Sequence, residues 1–256
     1  MTYSERDYTR LTDGEWSSLK PILATIPGIY LSTSDACRQF LEAVLWVSRT
    51  GAQWRSLPAD RGHWNSVFKR FDRWAKQEIW GKFFELNIQH TDLQSVSIDG
   101  TVIRAHACAA GAAHSTAEKE ALGRSRGGFG CKIHAAVNTL GLPIKFILTP
   151  GQSAEITQAI PLMEGIDTKA CLADKGYDSN EFRDWLQEKK IKVVIPPKSN
   201  RKSPIPCDYL HYKDRHVVKC TFGALKYFRR ISSRFEKKAI NFMAMLNFAA
   251  VMRWLR

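Results

Sequence analysis

The hydrophobic pattern of this 256-residue chain changes period near residue 94, and that change limits the folds open to it. Before it, apolar residues recur at helical spacing. Trp64, Val67, Phe68, Phe71 and Trp74 follow i, i+3, i+4, i+7, i+10, the stripe of an amphipathic helix. Thr12 and Glu15 have the spacing of a capping box ahead of Trp16, Leu19, Ile22 and Leu23. A second helix is expected from near Ser34, carrying Phe40, Leu41, Val44, Leu45 and Val47. Lys69, Arg70 and Arg73 fall off the Trp64–Trp74 stripe. Small helical units that read DNA present basic outer faces of this kind, and so do ordinary solvated helices.

Beyond residue 94 short β-rich runs take over. Ser95–Asp99 and Val102–Ala105 read as two short strands around Gly100-Thr101; Cys131–Val137 and Ile144–Leu148 read as two more. The polar, Gly-rich stretch His114–Gly130 is expected to be a mobile loop. A helix over Ile156–Met163, a strand over Lys169–Ala173, a helix over about 179–189 and a strand over Lys192–Ile195 then alternate, the last stopped by Pro196-Pro197. Two further helices are expected over about 215–230 and 237–255. The fold class that follows is α/β: a helical N-terminal domain over residues 1–90, then a mixed β-sheet flanked by helices over 91–256.

Charge narrows the partners. The chain carries a formal +13, and residues 201–256 alone hold 13 Lys+Arg against 3 Asp+Glu, so most of the excess sits in the last fifth. A polyanion, most commonly nucleic acid, suits that asymmetry. The N-terminus has no apolar h-region of a secretory signal. The longest apolar stretch, Ala239–Val251, is interrupted by Asn241 and Asn247 and falls short of the roughly 20 residues that span a bilayer, so no membrane partner is expected. Six scattered cysteines without a C-x-x-C pair argue against a zinc ribbon and a disulfide framework, and point to reduced thiols in a cytoplasmic setting. No Gly-rich phosphate loop is present, which leaves ATP use unsupported.

Two acids stand at strand ends. Asp99 follows Val96-x-Ile98, and Asp174 follows Cys171-Leu172-Ala173. A carboxylate there is held rigidly, and two on neighbouring strands can share a hard divalent cation such as Mg²⁺. The same positions also suit plain turn and helix capping.

The run Ser97-Ile98-Asp99-Gly100-Thr101-Val102-Ile103-Arg104-Ala105-His106 resembles the first-aspartate region of prokaryotic insertion-sequence DDE transposases. Leu122–Phe129 with Lys132-Ile133-His134, Phe146–Gln152, Leu172–Asp178, Ile195–Lys202 and Phe228–Ile231 resemble further blocks of that family, in the same order. Leu11-Thr12-Asp13 through Trp46–Pro58 is similar to its helical N-terminal domain, so the likeness runs from about residue 11 to 255.

The resemblance implies an RNase H-like catalytic core that cuts and joins DNA at terminal inverted repeats with Mg²⁺ or Mn²⁺. It implies a homodimer in the synaptic complex and a cytoplasmic, nucleoid-associated location in a prokaryote. It makes Asp99 and Asp174 the first two acids of the triad and the metal ligands. The third belongs to a signature Y-x2-R-x3-E-x6-K, which here reads Tyr212-x2-Arg215-x3-Lys219-x6-Lys226. Lysine therefore stands at the glutamate position. An ammonium offers no ligand and repels a cation, so catalysis by this copy is expected to be impaired. Asp214 and Glu236 are poorly phased to replace the missing acid. Tyr212, Arg215, Lys226, Arg229 and Arg230 are expected to hold DNA, joined by Arg124 and Arg126 on a Ser115–Gly130 loop that closes over DNA or simply connects. His106 and His134 are not needed as bases by two-metal chemistry. The alternatives are a catalytically inactive DNA-binding derivative of a transposase and a host nuclease on the same fold.

Overall fold

The computed structural model describes residues 7–31, 34–88, 93–203 and 205–256. By internal contacts the chain forms two units. One comprises Met1–Gln89, Lys226–Ser232 and Ile240–Arg256; the other comprises His90–Leu225 and Ser233–Ala239. The expected domain junction near residue 90 lies outside the described residues. The C-terminal segments return to the N-terminal unit, an arrangement that a linear reading of the chain does not reveal.

The first unit is helical, with α1 (Asp13–Thr25), α2 (Ser34–Thr50), α3 (Trp64–Lys76) and α4 (Ile79–Asn87). The capping box on α1 forms as the spacing predicts: Thr12 Oγ1 accepts from Glu15 N at 3.2 Å, and Glu15 Oε2 accepts from Thr12 N at 2.8 Å. The α3 stripe buries Val67, Phe71 and Trp74. Trp80 of α4 lies 5.4 Å from Phe71, 5.1 Å from Trp74 and 5.2 Å from Phe248, and its indole N–H donates to the Phe71 carbonyl. Arg70 departs from the expected basic face. Its guanidinium stacks 4.2 Å over Phe40 and 5.0 Å over Trp74, while Lys69 and Arg73 are exposed. A planar, weakly hydrated cation can lie on aromatic rings in this way.

The second unit is built on β1 (Ser95–Ala105), β2 (Gly123–Ser125), β3 (Gly128–Val137), β4 (Pro143–Pro150), α5 (Ala159–Met163), β5 (Ala170–Leu172), α6 (Asn180–Glu188) and β6 (Lys192–Val194). It continues through α7 (Tyr209–Tyr212) and α8 (His216–Lys226); α9 (Arg229–Ser232), β7 (Ser233–Arg234) and α10 (Ala239–Leu255) complete the chain. β3 pairs antiparallel with β1 and β4; β5 pairs parallel with β1, and β6 parallel with β5. Two short strands extend the sheet, β2 beside the start of β3 and β7 beside the end of β1. The mixed sheet flanked by helices is the expected architecture.

Three local details differ from the sequence reading. β1 is one continuous strand, because Gly100 and Thr101 stay in register opposite His134 and Ile133 rather than turning. The stretch expected to be a mobile loop contains a tight hairpin, Gly123–Ser125 against Gly128–Gly130. The helix expected over 215–230 breaks at Tyr227-Phe228, between α8 and α9. As expected, α10 is a buried core helix. No helix among the described residues is long and apolar enough to cross a membrane.

Candidate active site

Register brings the two aspartates together. Parallel pairing ends with Ser97 opposite Leu172, and two residues further on stand Asp99 and Asp174. Asp174 lies just past β5, as expected, but Asp99 lies inside β1 rather than at a strand end, because β1 runs on through Gly100 and Thr101 to Ala105. Neighbouring strands lie about 4.8 Å apart, so acids in equivalent positions are side by side. The opposite face of the same strands is apolar: Val96, Ile98, Cys171 and Ala173 pack with Leu162, Phe182 and Leu186. That core anchors the backbone on which the two carboxylates stand.

A third carboxylate joins them. Glu155 begins the 3₁₀ turn Glu155–Gln158 after β4, and ligand oxygens of Asp99, Glu155 and Asp174 all lie within 4.8 Å of one another. Gly100 makes this approach possible. A Cβ built there would stand 3.0 Å from Glu155 Oε1 and 3.1 Å from its Cγ and Cδ. Beside Asp174, a Cβ on Gly176 would meet Asp174 Oδ1 at 2.8 Å and Glu155 Oε2 at 3.9 Å. The acids are thus seated between two residues that lack side chains.

Backbone and cationic groups fix the oxygens. Asp99 Oδ1 accepts from Gly100 N at 2.9 Å, and Asp174 Oδ1 from Gly176 N at 2.8 Å. Asp174 thus caps the 3₁₀ turn Lys175–Tyr177 as well as joining the cluster, whereas Asp99, in an extended strand, caps nothing. Arg215 Nη2 lies 2.8 Å from Asp99 Oδ2 and 3.4 Å from Asp174 Oδ2, so one guanidinium nitrogen bridges the pair. Lys132 Nζ is 3.5 Å from Glu155 Oε1 and donates to the Ser153 carbonyl at 2.7 Å. Burial raises the Asp99 carboxyl above the ordinary aspartate range, against the lowering effect of Arg215 and the Gly100 N–H. Glu155 is raised by burial too, with Lys132 opposing and the two aspartates reinforcing. The Tyr177 hydroxyl is fully buried and has no hydrogen-bond partner among the described residues. Burial first, then the negative charges of Glu155, Asp99 and Asp174, push its pKa up.

The remaining expected residues fall in several places. Lys219, on α8, is exposed and acts on Asp99 only as a nearby positive charge. Arg215 was expected to face DNA; it is instead buried against the carboxylates, since a guanidinium withdrawn from water requires an anionic partner. Tyr212 is half-buried and packs against Ala170, Leu172 and Val194. Lys226 and Arg229 are exposed, whereas Arg230 is buried. Arg124 and Arg126 are exposed on the β2–β3 hairpin. His134 is fully buried, its Nε2 2.8 Å from Thr149 Oγ1, and burial lowers its pKa to about 4, so it is neutral at pH 7. His106 lies outside the cluster, stacked on Phe235.

Sequence reasoning missed Glu155. It weighed Asp214 and Glu236, neither of which joins the cluster. The one signal was an acid five residues past the end of β4, in Gly151-Gln152-Ser153-Ala154-Glu155. Only the folded chain shows that the side chain on this turn reaches across to Gly100 and Asp99 of β1.

Comparison with known proteins accords with this geometry. Residues 90–253 match the family model described as "Transposase DDE domain". The chain belongs to the DDE transposase family. Residues 11–84 of this transposase match a second family model, "Putative transposase of IS4/5 family (DUF4096)". A Brucella ovis protein described as "Putative transposase for insertion sequence element IS6501" is 35% identical over 127 residues, 49% of this chain and 98% of that protein. "Putative transposase for insertion sequence element IS402" of Burkholderia cepacia is 30% identical over 43% of this chain and 56% of its own length. "Transposase for insertion sequence element IS1106" of Neisseria meningitidis serogroup B is 35% identical over 38% of this chain and 35% of its own length. Among solved structures, a cryo-EM structure of a piggyBac transposase synaptic complex with hairpin DNA is similar over 100% of this chain and 75% of that one, with a TM-score of 0.43 and 13% identity.

Proposed function

We propose that this transposase binds the terminal inverted repeats of its insertion sequence and performs divalent-metal-dependent DNA cleavage and strand transfer on an RNase H-like core. The observation that carries the reading is that Asp99 and Asp174 stand side by side where the pairing of β1 with β5 stops, with a third carboxylate in reach. A hard-oxygen donor set of this kind fits Mg²⁺ or Mn²⁺, and the buried, unpartnered Tyr177 hydroxyl adds an oxygen beside it. When bound, such ions activate a nucleophile and stabilise the leaving oxygen of a phosphodiester.

The protein's own groups position the substrate and balance charge. Asp99 and Asp174 would hold the metal, with Oδ1 of each fixed by the Gly100 and Gly176 amides. Arg215 neutralises and orients the two aspartates. Lys226 and Arg229, with Arg124 and Arg126 on the hairpin, are exposed and supply phosphate contacts. Neutral His134 braces β3 against β4 through Thr149 and exchanges no proton with DNA. The helical N-terminal segment reads the repeats, two copies pair two element ends, and the protein works on cytoplasmic, nucleoid-associated DNA.

Lys219 lowers the activity, since its charge reaches Asp99 and repels the incoming cation. The test compares Mg²⁺-dependent nicking of terminal-repeat DNA by the natural chain and by Lys219→Glu. A gain of about tenfold in the variant is expected from removing the repelling charge near Asp99. Equal, robust nicking by both refutes impairment. A second reading, a DNA-binding derivative without catalysis, is favoured by one feature: the guanidinium bridging both aspartates. Salt-sensitive binding to the repeats with no metal-dependent product from the natural chain selects it.

A further inference from the structure

We propose that Glu155 is the third metal-binding carboxylate of this chain, occupying the role that Lys219 does not fill. The inference rests on the reading of Asp99 and Asp174 as metal ligands and extends it to a residue outside the Tyr212–Lys226 signature.

Three independent observations support it. The first is proximity: one oxygen each from Asp99, Glu155 and Asp174 falls inside a 4.8 Å set, the spread of ligand atoms around a single small cation. Oxygens of an octahedral Mg²⁺ site lie about 2.1 Å from the ion, hence about 3–4 Å from one another. The second is the cradle. Gly100 leaves the space that the Glu155 side chain occupies, at 3.0 Å from the nearest carboxylate oxygen, and Gly176 leaves space on the far side. An alanine at position 100 would push the carboxylate away from Asp99. The third is the Tyr177 hydroxyl, fully buried, unpartnered among the described residues and within electrostatic reach of all three acids. A buried hydroxyl without a partner is costly, and a water on a bound cation would satisfy it.

Charge accounts for how three acids coexist without the ion. Arg215 bridges Asp99 and Asp174, and Lys132 pairs with Glu155. Two cations thus offset three carboxylates, leaving one net negative charge for a divalent ion to meet. Lys219 contributes only a more distant positive charge and no ligand atom.

The experiment measures Mn²⁺ binding by the full chain in the absence of DNA, using the electron paramagnetic resonance signal of free Mn²⁺ and the metal-induced rise in melting temperature. The natural chain binds Mn²⁺; Glu155→Gln weakens binding by about tenfold or more. Glu155→Asp, which retains the carboxylate, keeps affinity closer to the natural value. Lys219→Ala binds at least as tightly as the natural chain. Melting temperatures in EDTA show that each variant is folded; the glutamine variant removes one of three like charges and is expected to melt no lower. Glu155→Gln binding within about twofold of the natural chain overturns the proposal, as does a natural chain that takes up no Mn²⁺ at millimolar concentration. DNA cleavage is scored separately. Mn²⁺ binding that depends on Glu155 without any nicking refutes the catalytic reading and leaves the metal site standing.

Discussion

Replacing Asp178 with asparagine tests the scaffold behind the site. Asp178 is 3% exposed and Arg183 5% exposed, and Arg183 Nε lies 2.6 Å from Asp178 Oδ1. Arg201 Nε and Nη2 reach the two oxygens at 2.6 and 2.9 Å, and the Lys198 amide donates to Oδ2 at 2.7 Å. Arg183 also donates to the Ile195 carbonyl. One carboxylate therefore ties the turn after Asp174, helix α6 and the segment after β6 into a single clamp. Burial works to raise the Asp178 pKa, but the hydrogen bonds from Arg201, Lys198 and Arg183 outweigh it and hold the carboxyl well below its ordinary value. Asparagine keeps the shape and leaves Arg183 buried without its anion. Breaking a buried pair from one side costs about 3–5 kcal/mol, and for a chain of this size about 2–4 °C of melting temperature accompanies each kcal/mol. Asp178→Asn should therefore melt roughly 10 °C lower near pH 7. The sign with pH follows from the lowered folded pKa: the stability is complete above the unfolded aspartate value, near 4, and is lost as pH falls below it. The two proteins should converge in acid. Thermal unfolding followed by circular dichroism from pH 3 to 7 measures both effects. A difference below about 2 °C at pH 7, or one that does not shrink in acid, refutes the argument.

Three further outcomes are expected. His134 is held near pKa 4 against 6.5 when free, a gap worth about 3 kcal/mol, so stability is complete above pH 6.5 and falls as pH drops toward 4. Urea unfolding of His134→Gln should lack that slope, and an unchanged slope contradicts the assignment. Arg215→Gln leaves Asp99 and Asp174 without their bridging cation, so in EDTA it should lose about 3–5 kcal/mol, and Mn²⁺ should restore part of the loss. Stability equal to the natural chain in EDTA would show that the bridge has no weight. An alanine at Gly130 would drive its Cβ into the Ile103 carbonyl oxygen of the neighbouring strand. Gly130→Ala is expected to destabilise by about 1–3 kcal/mol in chemical denaturation, and a neutral result would contradict the close strand approach.

How much was legible in the sequence depended on the range of the interaction. The capping box on α1 and the α3 stripe are local rules and appear where spacing placed them. The aspartates were legible because each follows a short apolar run, although only Asp174 stands at a strand end and Asp99 lies within β1. Local rules fail where tertiary pairing overrides them. Gly100-Thr101 reads as a turn, but β3 supplies partners on one side and holds β1 extended through it. Arg70 and Arg215 read as solvent-facing cations because a sequence shows charge and not the ring or carboxylate a fold sets against it. Glu155 escaped notice for the same reason. Its place in the cluster comes from the turn after β4 and from the missing Cβ at Gly100, neither of which leaves a periodic trace.

The central claim is that the carboxylates of Asp99, within β1, and Asp174, just past β5, carry metal-dependent DNA chemistry in this transposase. Single-turnover cleavage of a labelled terminal-repeat duplex, run with Mn²⁺ and with EDTA, tests it most directly when the natural chain is compared with Asp99→Asn and Asp174→Asn. The account predicts nicks at the element end from the natural chain with Mn²⁺ only, and none above background from either variant, while all three still bind the duplex. Nicking that survives EDTA, or that persists at the natural rate in Asp174→Asn, would contradict it.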